Sequence, residues 1–127
     1  MKNYSLARLD WGVGQYIDSI RFTMTNGTIS PKYGSRSATS NYCVFESRIN
    51  KIKVSVKDNR LVGLLFYTEH DGEFLRIEGS RMTNNSATIE LVGSESFIGF
   101  RVRTAKNVLT GISFTMLTTP GIIDNEI

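Results

Sequence analysis

A chain of 127 residues with 40% hydrophobic and 21% charged residues has the composition of one ordinary globular domain. At this length folding buries about two thirds of the unfolded surface, so a core forms without staples, and the single cysteine, Cys43, excludes an internal disulfide. The formal charge of +3 at pH 7 permits acidic partners without pointing to nucleic acid, and no apolar run approaches the ~18 residues of a membrane span. Met1-Lys2-Asn3-Tyr4 leads into a polar stretch with no apolar signal region. A cytoplasmic or non-classically secreted chain is therefore expected, and the lone thiol suits a reducing compartment.

In chain order, Tyr4 to Ala7 reads as a short strand, and Leu9, Trp11 and Val13 as an alternating one. Then comes Ile17-x-x-Ile20-x-Phe22, closed by the turn dipeptide Asn26-Gly27. The same order returns twice. Cys43 to Glu46 is a short strand, and Ile52, Val54 and Val56 alternate with Lys51, Lys53, Ser55 and Lys57. Leu61-x-x-Leu64-x-Phe66 repeats the pattern before Asp71-Gly72. The last copy runs through Thr88 to Leu91, then Ile98, Phe100 and Val102, then Leu109-x-x-Ile112-x-Phe114 and Pro120-Gly121. Asn-Gly and Asp-Gly mark hairpins because both positions tolerate positive φ, and Pro-Gly suits a type II turn. No long window shows a helical period, so about twelve strands in three copies are expected.

The spacing inside the repeat matters. Strict alternation would place Ile17 and Ile20 on opposite faces of a strand. A bulge or tight bend near Ser19, Gly63 and Gly111 restores them to one face, and the small residue at each position agrees with that. Three sheets that each hide one face must then pack against one another, as in an antiparallel prism or barrel.

These residues resemble the jacalin-related lectins over roughly Leu9 to Met116. Besides the threefold pattern, Ile29-Ser30-Pro31-Lys32-Tyr33-Gly34 leading to Phe45 is similar to the family's Gly-Pro-Tyr-Gly…Phe segment. Glu95-Ser96-Phe97-Ile98-Gly99-Phe100 is similar to its Glu-x-x-Ile-x-Gly-Phe strand. The resemblance implies an all-β fold, a β-prism of three four-stranded antiparallel Greek-key sheets with pseudo-threefold symmetry. One domain would span 1–127, with repeats at about 4–33, 43–78 and 88–126. The family's glycine-rich first strand has no counterpart here, and the tail 121–127 is expected to supply it.

In the family a sugar lies between a Gly-x-x-x-Asp loop and a glycine-rich loop. Gly14-Gln15-Tyr16-Ile17-Asp18 matches the first, and Tyr33-Gly34-Ser35-Arg36-Ser37 stands where the second belongs, with one glycine rather than two. The resemblance implies that the Asp18 carboxylate accepts from two sugar hydroxyls and that the amides of Gln15, Tyr16 and Ile17 point at the same oxygens. Gly14 would let the backbone turn, Tyr16 would offer its ring, and Gly34 with Ser35 would form the opposing wall. The other copies depart from the motif: Asp58 and Val62 stand at the glycine and aspartate positions of the second, Lys106 and Thr110 at those of the third. Many plant members keep their principal site in that third copy.

The expected function is weak binding of mannose- or galactose-type glycans, with no cofactor, no metal, no nucleic acid and no enzymatic activity, in a chain that can form a homo-oligomer. The alternative is a structural or interaction prism that has lost the sugar and meets sulfated glycans or acidic headgroups through Lys51, Lys53 and Lys57 or Arg101 and Arg103. Asp18 can also serve only to fix its turn, and Tyr16 can equally pack on its neighbours. The tip Glu69-His70-Asp71-Gly72-Glu73 reads as a solvated hairpin end. Gly93-Ser94-Glu95-Ser96 lacks the second glycine of a nucleophile elbow.

Overall fold

The computed structural model describes residues 5–35, 41–83, 86–90, 96–117 and 121–126. The strand ends expected at Tyr4 and Leu91, the loop residues Arg36 and Ser37, and Glu95, Pro120 and Ile127 lie outside them. Among the described residues eleven strands form three antiparallel sheets. The first holds β1 (Leu6–Val13), β2 (Ile17–Met24), β3 (Tyr33–Gly34) and β4 (Asn41–Val44). The second holds β5 (Ile49–Lys57), β6 (Arg60–Thr68), β7 (Gly72–Glu78) and β8 (Ala87–Glu90). The third holds β9 (Ser96–Ala105), β10 (Val108–Leu117) and β11 (Ile122–Glu126). The spatial orders β3-β2-β1-β4 and β7-β6-β5-β8 are Greek keys. The architecture is the all-β prism that the repeats imply.

The middle strands β2, β6 and β10 carry the repeated pattern and meet one another at the centre. Each contains one extra residue relative to its partner strand. Gly12 pairs with Ser19 and Val13 with Ile17, which leaves Asp18 out of register. Ser55 pairs with Gly63 and Val56 with Leu61, which leaves out Val62. Arg103 pairs with Gly111 and Thr104 with Leu109, which leaves out Thr110. This bulge cancels the odd spacing of the pattern. Ile17, Ile20 and Phe22, and their six counterparts in the other copies, are therefore all buried in one cluster. Phe22 stacks on Phe100 at 5.0 Å, and Phe100 meets Phe114 edge-on at 5.5 Å.

Three expectations need correction. The strands at Cys43 and Thr88 do not open the second and third sheets. Leu9 pairs with Cys43 and Ile52 with Ile89, so each returns to close the sheet before it. Each long connection thus ends in a strand whose inward residue covers the open side of the previous sheet. The tail does not complete the first sheet either: β11 pairs with β10, Met116 opposite Ile123. Among the described residues the third sheet has three strands. Finally, a second irregularity near Ile98, between the Thr115–Gly99 and Met116–Phe97 pairs, turns Phe97 rather than Ile98 into the core.

A test of the core follows from its geometry. Phe66 is wholly buried, while Ile29 is largely exposed. Phe66→Ala should cost about 3–5 kcal/mol through lost burial and a residual cavity, and Ile29→Ala less than about 0.5 kcal/mol. Urea unfolding followed by Trp11 fluorescence measures both.

Candidate functional site

The three β-hairpins formed by β1–β2, β5–β6 and β9–β10 do not end alike. The second and third end in two-residue turns, Asp58-Asn59 and Lys106-Asn107, whose four φ angles lie between 51° and 64°. These are type I′ geometries, which the right-handed twist of paired strands favours. Their ladders run to the tip, with Lys57 opposite Arg60 and Ala105 opposite Val108. The first hairpin is one residue shorter between its last equivalent pairs, and its ladder stops at Val13 and Ile17. Gly14, Gln15 and Tyr16 form an open loop. Its carbonyls are engaged, Gly14 O by Ser80 N at 3.0 Å and Gln15 O by Arg81 N at 3.0 Å. Among the described residues no backbone carbonyl accepts from the Gln15 or Tyr16 amide.

Asp18 is the bulged residue of β2, so its side chain leaves the core at the end of the sheet. Its carboxylate folds back over Gly14, where an added Cβ would lie 3.0 Å from Asp18 Oδ2. Gly34 lies directly against it. Ser19 pairs with Gly34, and Ser35 N donates to the Asp18 carbonyl at 2.8 Å. Gly34 has φ +94°, and a Cβ there would overlap the Asp18 carbonyl oxygen. Only glycine meets both demands. The two loops singled out by the sequence are thus adjacent, joined by a backbone hydrogen bond.

Tyr16 and Ile17 are turned inward. Ile17 belongs to the core, so only its backbone is available at the surface. Tyr16 is 7% exposed. Its hydroxyl donates to Asp58 Oδ2 at 3.0 Å, and the Arg60 guanidinium lies over its ring at 4.1 Å. The bond to Asp58 holds the Tyr16 phenol above its ordinary pKa, because the neutral form is the donor. Tyr16 is therefore a platform for Arg60 rather than an open aromatic surface. Arg60 Nη2 reaches to 3.9 Å from Asp18 Oδ1. An open cleft of about 430 Å³ is lined by Asp18, Ser35 and Arg60 together with Lys106 and Asn107. A second, of about 710 Å³, continues past Gly34 and Asn107 to Arg21 and Lys32.

Arg60 and Lys106 escaped the sequence reading because each copy was judged as a site of its own. The signal was present in the repeat: Arg60 occupies the position of Tyr16, so pseudo-threefold symmetry brings it to the same end of the prism.

Other features singled out in the sequence have local roles. Lys51 and Lys53 converge on the Tyr67 ring at 4.3 and 5.5 Å. Arg101 pairs with Asp124 at 3.4 Å, and Arg103 hydrogen-bonds Thr110. The tip near His70 is tied by Asp71 to Thr68 and by Glu69 to Arg48. Among the described residues no group of three or more His, Cys, Asp or Glu could share a metal. Cys43 is half-buried, and burial pushes its thiol pKa up, away from the reactive thiolate.

No protein-family model and no curated protein matches this sequence. Solved structures do match its fold. A prostate-specific WGA16 glycoprotein lectin superposes with TM-score 0.73 and 18% identity over 91% of this chain and 83% of its own. Wild-type Malaysian banana lectin gives 0.70 and 20% over 98% and 87%. Artocarpin, solved with mannotriose, gives 0.74 and 12% over 93% and 87%. The fold is that of the jacalin-related lectins.

Two outcomes test this geometry. Gly34→Ala should lower stability by more than about 1 kcal/mol, since both φ and space oppose it, and chemical denaturation measures it. Tyr16 should ionise above the ordinary phenol range, and Asp58→Asn should bring it down, as ultraviolet pH titration reads. Because the folded pKa is raised, this bond stabilises the fold below the unfolded phenol pKa and is lost as pH rises through the folded one.

Proposed function

We propose that this chain is a carbohydrate-binding module whose single site lies between the loop of Gly14, Gln15, Tyr16, Ile17 and Asp18 and the wall of Gly34 and Ser35. The observation that carries this reading is the seating of Gly34 against the Asp18 backbone. It leaves the Asp18 carboxylate lining an open cleft of sugar size, with unladdered amides in the loop that precedes it. Asp18 accepts from two adjacent hydroxyls of a mannose- or galactose-type ring, and the Gln15 and Tyr16 amides donate to the same oxygens. Ile17 contributes backbone alone, and Tyr16 acts through Arg60. The other two hairpins close in tight type I′ turns and carry Val62 and Thr110 at the bulge where the first carries Asp18, which fits one site rather than three. This is recognition without a reaction, and the lectin neighbours support it at the level of fold.

A monosaccharide makes few contacts at so open a site, so a Kd near 1 mM, or about 4 kcal/mol, is expected. Useful retention then requires several copies of the site on one particle or homo-oligomer. Titration with methyl mannoside and methyl galactoside, followed by the amide resonances of Gly14 and Ser35, tests the reading. Asp18→Asn keeps the shape of the side chain but removes its charge, and should weaken binding by at least about tenfold, the loss of one charge-assisted hydrogen bond. Unchanged affinity in that variant would remove the assigned site.

A further inference from the structure

We infer that the ligand of this site is an acidic saccharide, a hexose carrying a carboxylate or sulfate group beside the diol held by Asp18. The inference rests on the carbohydrate reading and names its ligand class. Four observations lead to it. First, Asp18 shares its cleft with two cations, Arg60 and Lys106, and the adjoining cleft adds Arg21 and Lys32. Asp18 is the one carboxylate lining either cleft among the described residues. Second, Asp18 satisfies Arg60 only in part: their closest approach, 3.9 Å, is an ion pair beyond hydrogen-bond distance, and Arg60 Nε is buried with no hydrogen-bond partner among the described residues. Third, Arg60 is already in place. Its guanidinium rests on the Tyr16 ring, and Tyr16 is anchored in turn by Asp58, so little side-chain freedom is left to lose on binding. Fourth, Lys106 stands on a type I′ turn beside the same cleft and makes no ion pair among the described residues.

The mixture of charges selects the ligand. A neutral sugar uses Asp18 and leaves two cations facing hydroxyls, to which they add little. A bare phosphate or sulfate uses the cations but meets the Asp18 carboxylate as a like charge. A ring with free hydroxyls on one side and an anionic substituent on the other satisfies both, placing its hydroxyl donors on Asp18 and its anion on the Arg60 fork and Lys106. The same argument says why a carboxylate persists amid four cations: it discriminates against simple anions.

The test is titration of the folded chain, read from the Gly14 and Ser35 amide resonances. The probes are methyl mannoside and methyl galactoside, the corresponding uronates, the corresponding 6-sulfates, and inorganic sulfate. The acidic sugars should bind at least about tenfold more tightly than the neutral ones at low salt, and this advantage should shrink as salt rises to about 0.3 M. Uronate and sulfate arms report which anion is preferred, and preference for either supports the inference. Arg60→Gln and Lys106→Gln should each reduce the advantage of the acidic sugars over the neutral ones. Lys106 is exposed on a turn, so its variant folds and keeps the experiment interpretable should Arg60→Gln loosen Tyr16. Equal affinity for neutral and acidic sugars overturns this inference while the carbohydrate reading stands. Inorganic sulfate binding as tightly as the acidic sugars overturns it as a simple anion site. Silence from every probe overturns both readings together.

Discussion

One extra residue per middle strand holds this molecule together. Without the bulge at Asp18, Val62 and Thr110, the first apolar residue of each repeat would face outward and the last two inward. The three sheets could not then close on a common core. With it, nine residues from three distant segments reach one cluster, and the aromatic rings of Phe22, Phe100 and Phe114 meet there. The bulge also has a directional consequence. The residue it expels from the ladder sits at the end of the sheet beside the hairpin tip. In the second copy that residue is Val62, which is buried; in the first it is Asp18, which keeps about a third of its side chain exposed. The device that packs the core is the device that presents the carboxylate.

The hairpin tips show how a symmetric scaffold becomes asymmetric. Asp-Asn and Lys-Asn accept the left-handed conformation and fold into tight two-residue turns. Those turns carry their ladders up to the tip, and Val62 and Thr110 stand where the first copy has its carboxylate. The turns gain a different use, because the prism brings all three tips to one end. Asp58 fixes Tyr16, Arg60 covers it, and Lys106 with Asn107 forms the far wall of the cleft. Of the motif positions that read as degenerate within their own copies, Asp58 anchors Tyr16 and Lys106 lines the cleft beside the first copy's loop.

Much of the fold was legible because period-2 alternation and the repeated Ile-x-x-Ile-x-Phe spacing are local patterns, and the bulge followed from spacing alone. What escaped was partnership between strands. The strand around Cys43 lies immediately before the second repeat in sequence, yet it pairs with Leu9. A Greek-key return depends on where a long connection lands, which no local pattern records. Ile98 and Phe97 were inverted for a related reason: the irregularity lies between β9 and β10, and Gly99, which adjoins it, was read as part of a strand motif rather than as the mark of a bulge. At the candidate site, Gly14, Asp18 and Gly34 were legible as a motif with a physical role for each. For Tyr16 an offered ring and a packed one stayed equally open, because its cover, Arg60, lies 44 positions further along.

That cover decides what the site can discriminate. An aromatic ring open to solvent would favour the apolar face of any sugar, whatever its charge. A ring hidden beneath a guanidinium exchanges that broad preference for a fixed cation a few ångströms from a fixed carboxylate. At 3.9 Å the two groups form an ion pair without a hydrogen bond, and the guanidinium rests on the Tyr16 ring before any ligand arrives. In the proposed acidic-saccharide reading, recognition depends on a ligand having a donor and an anion at the matching spacing, so selectivity comes from the distance between two opposite charges rather than from contact area.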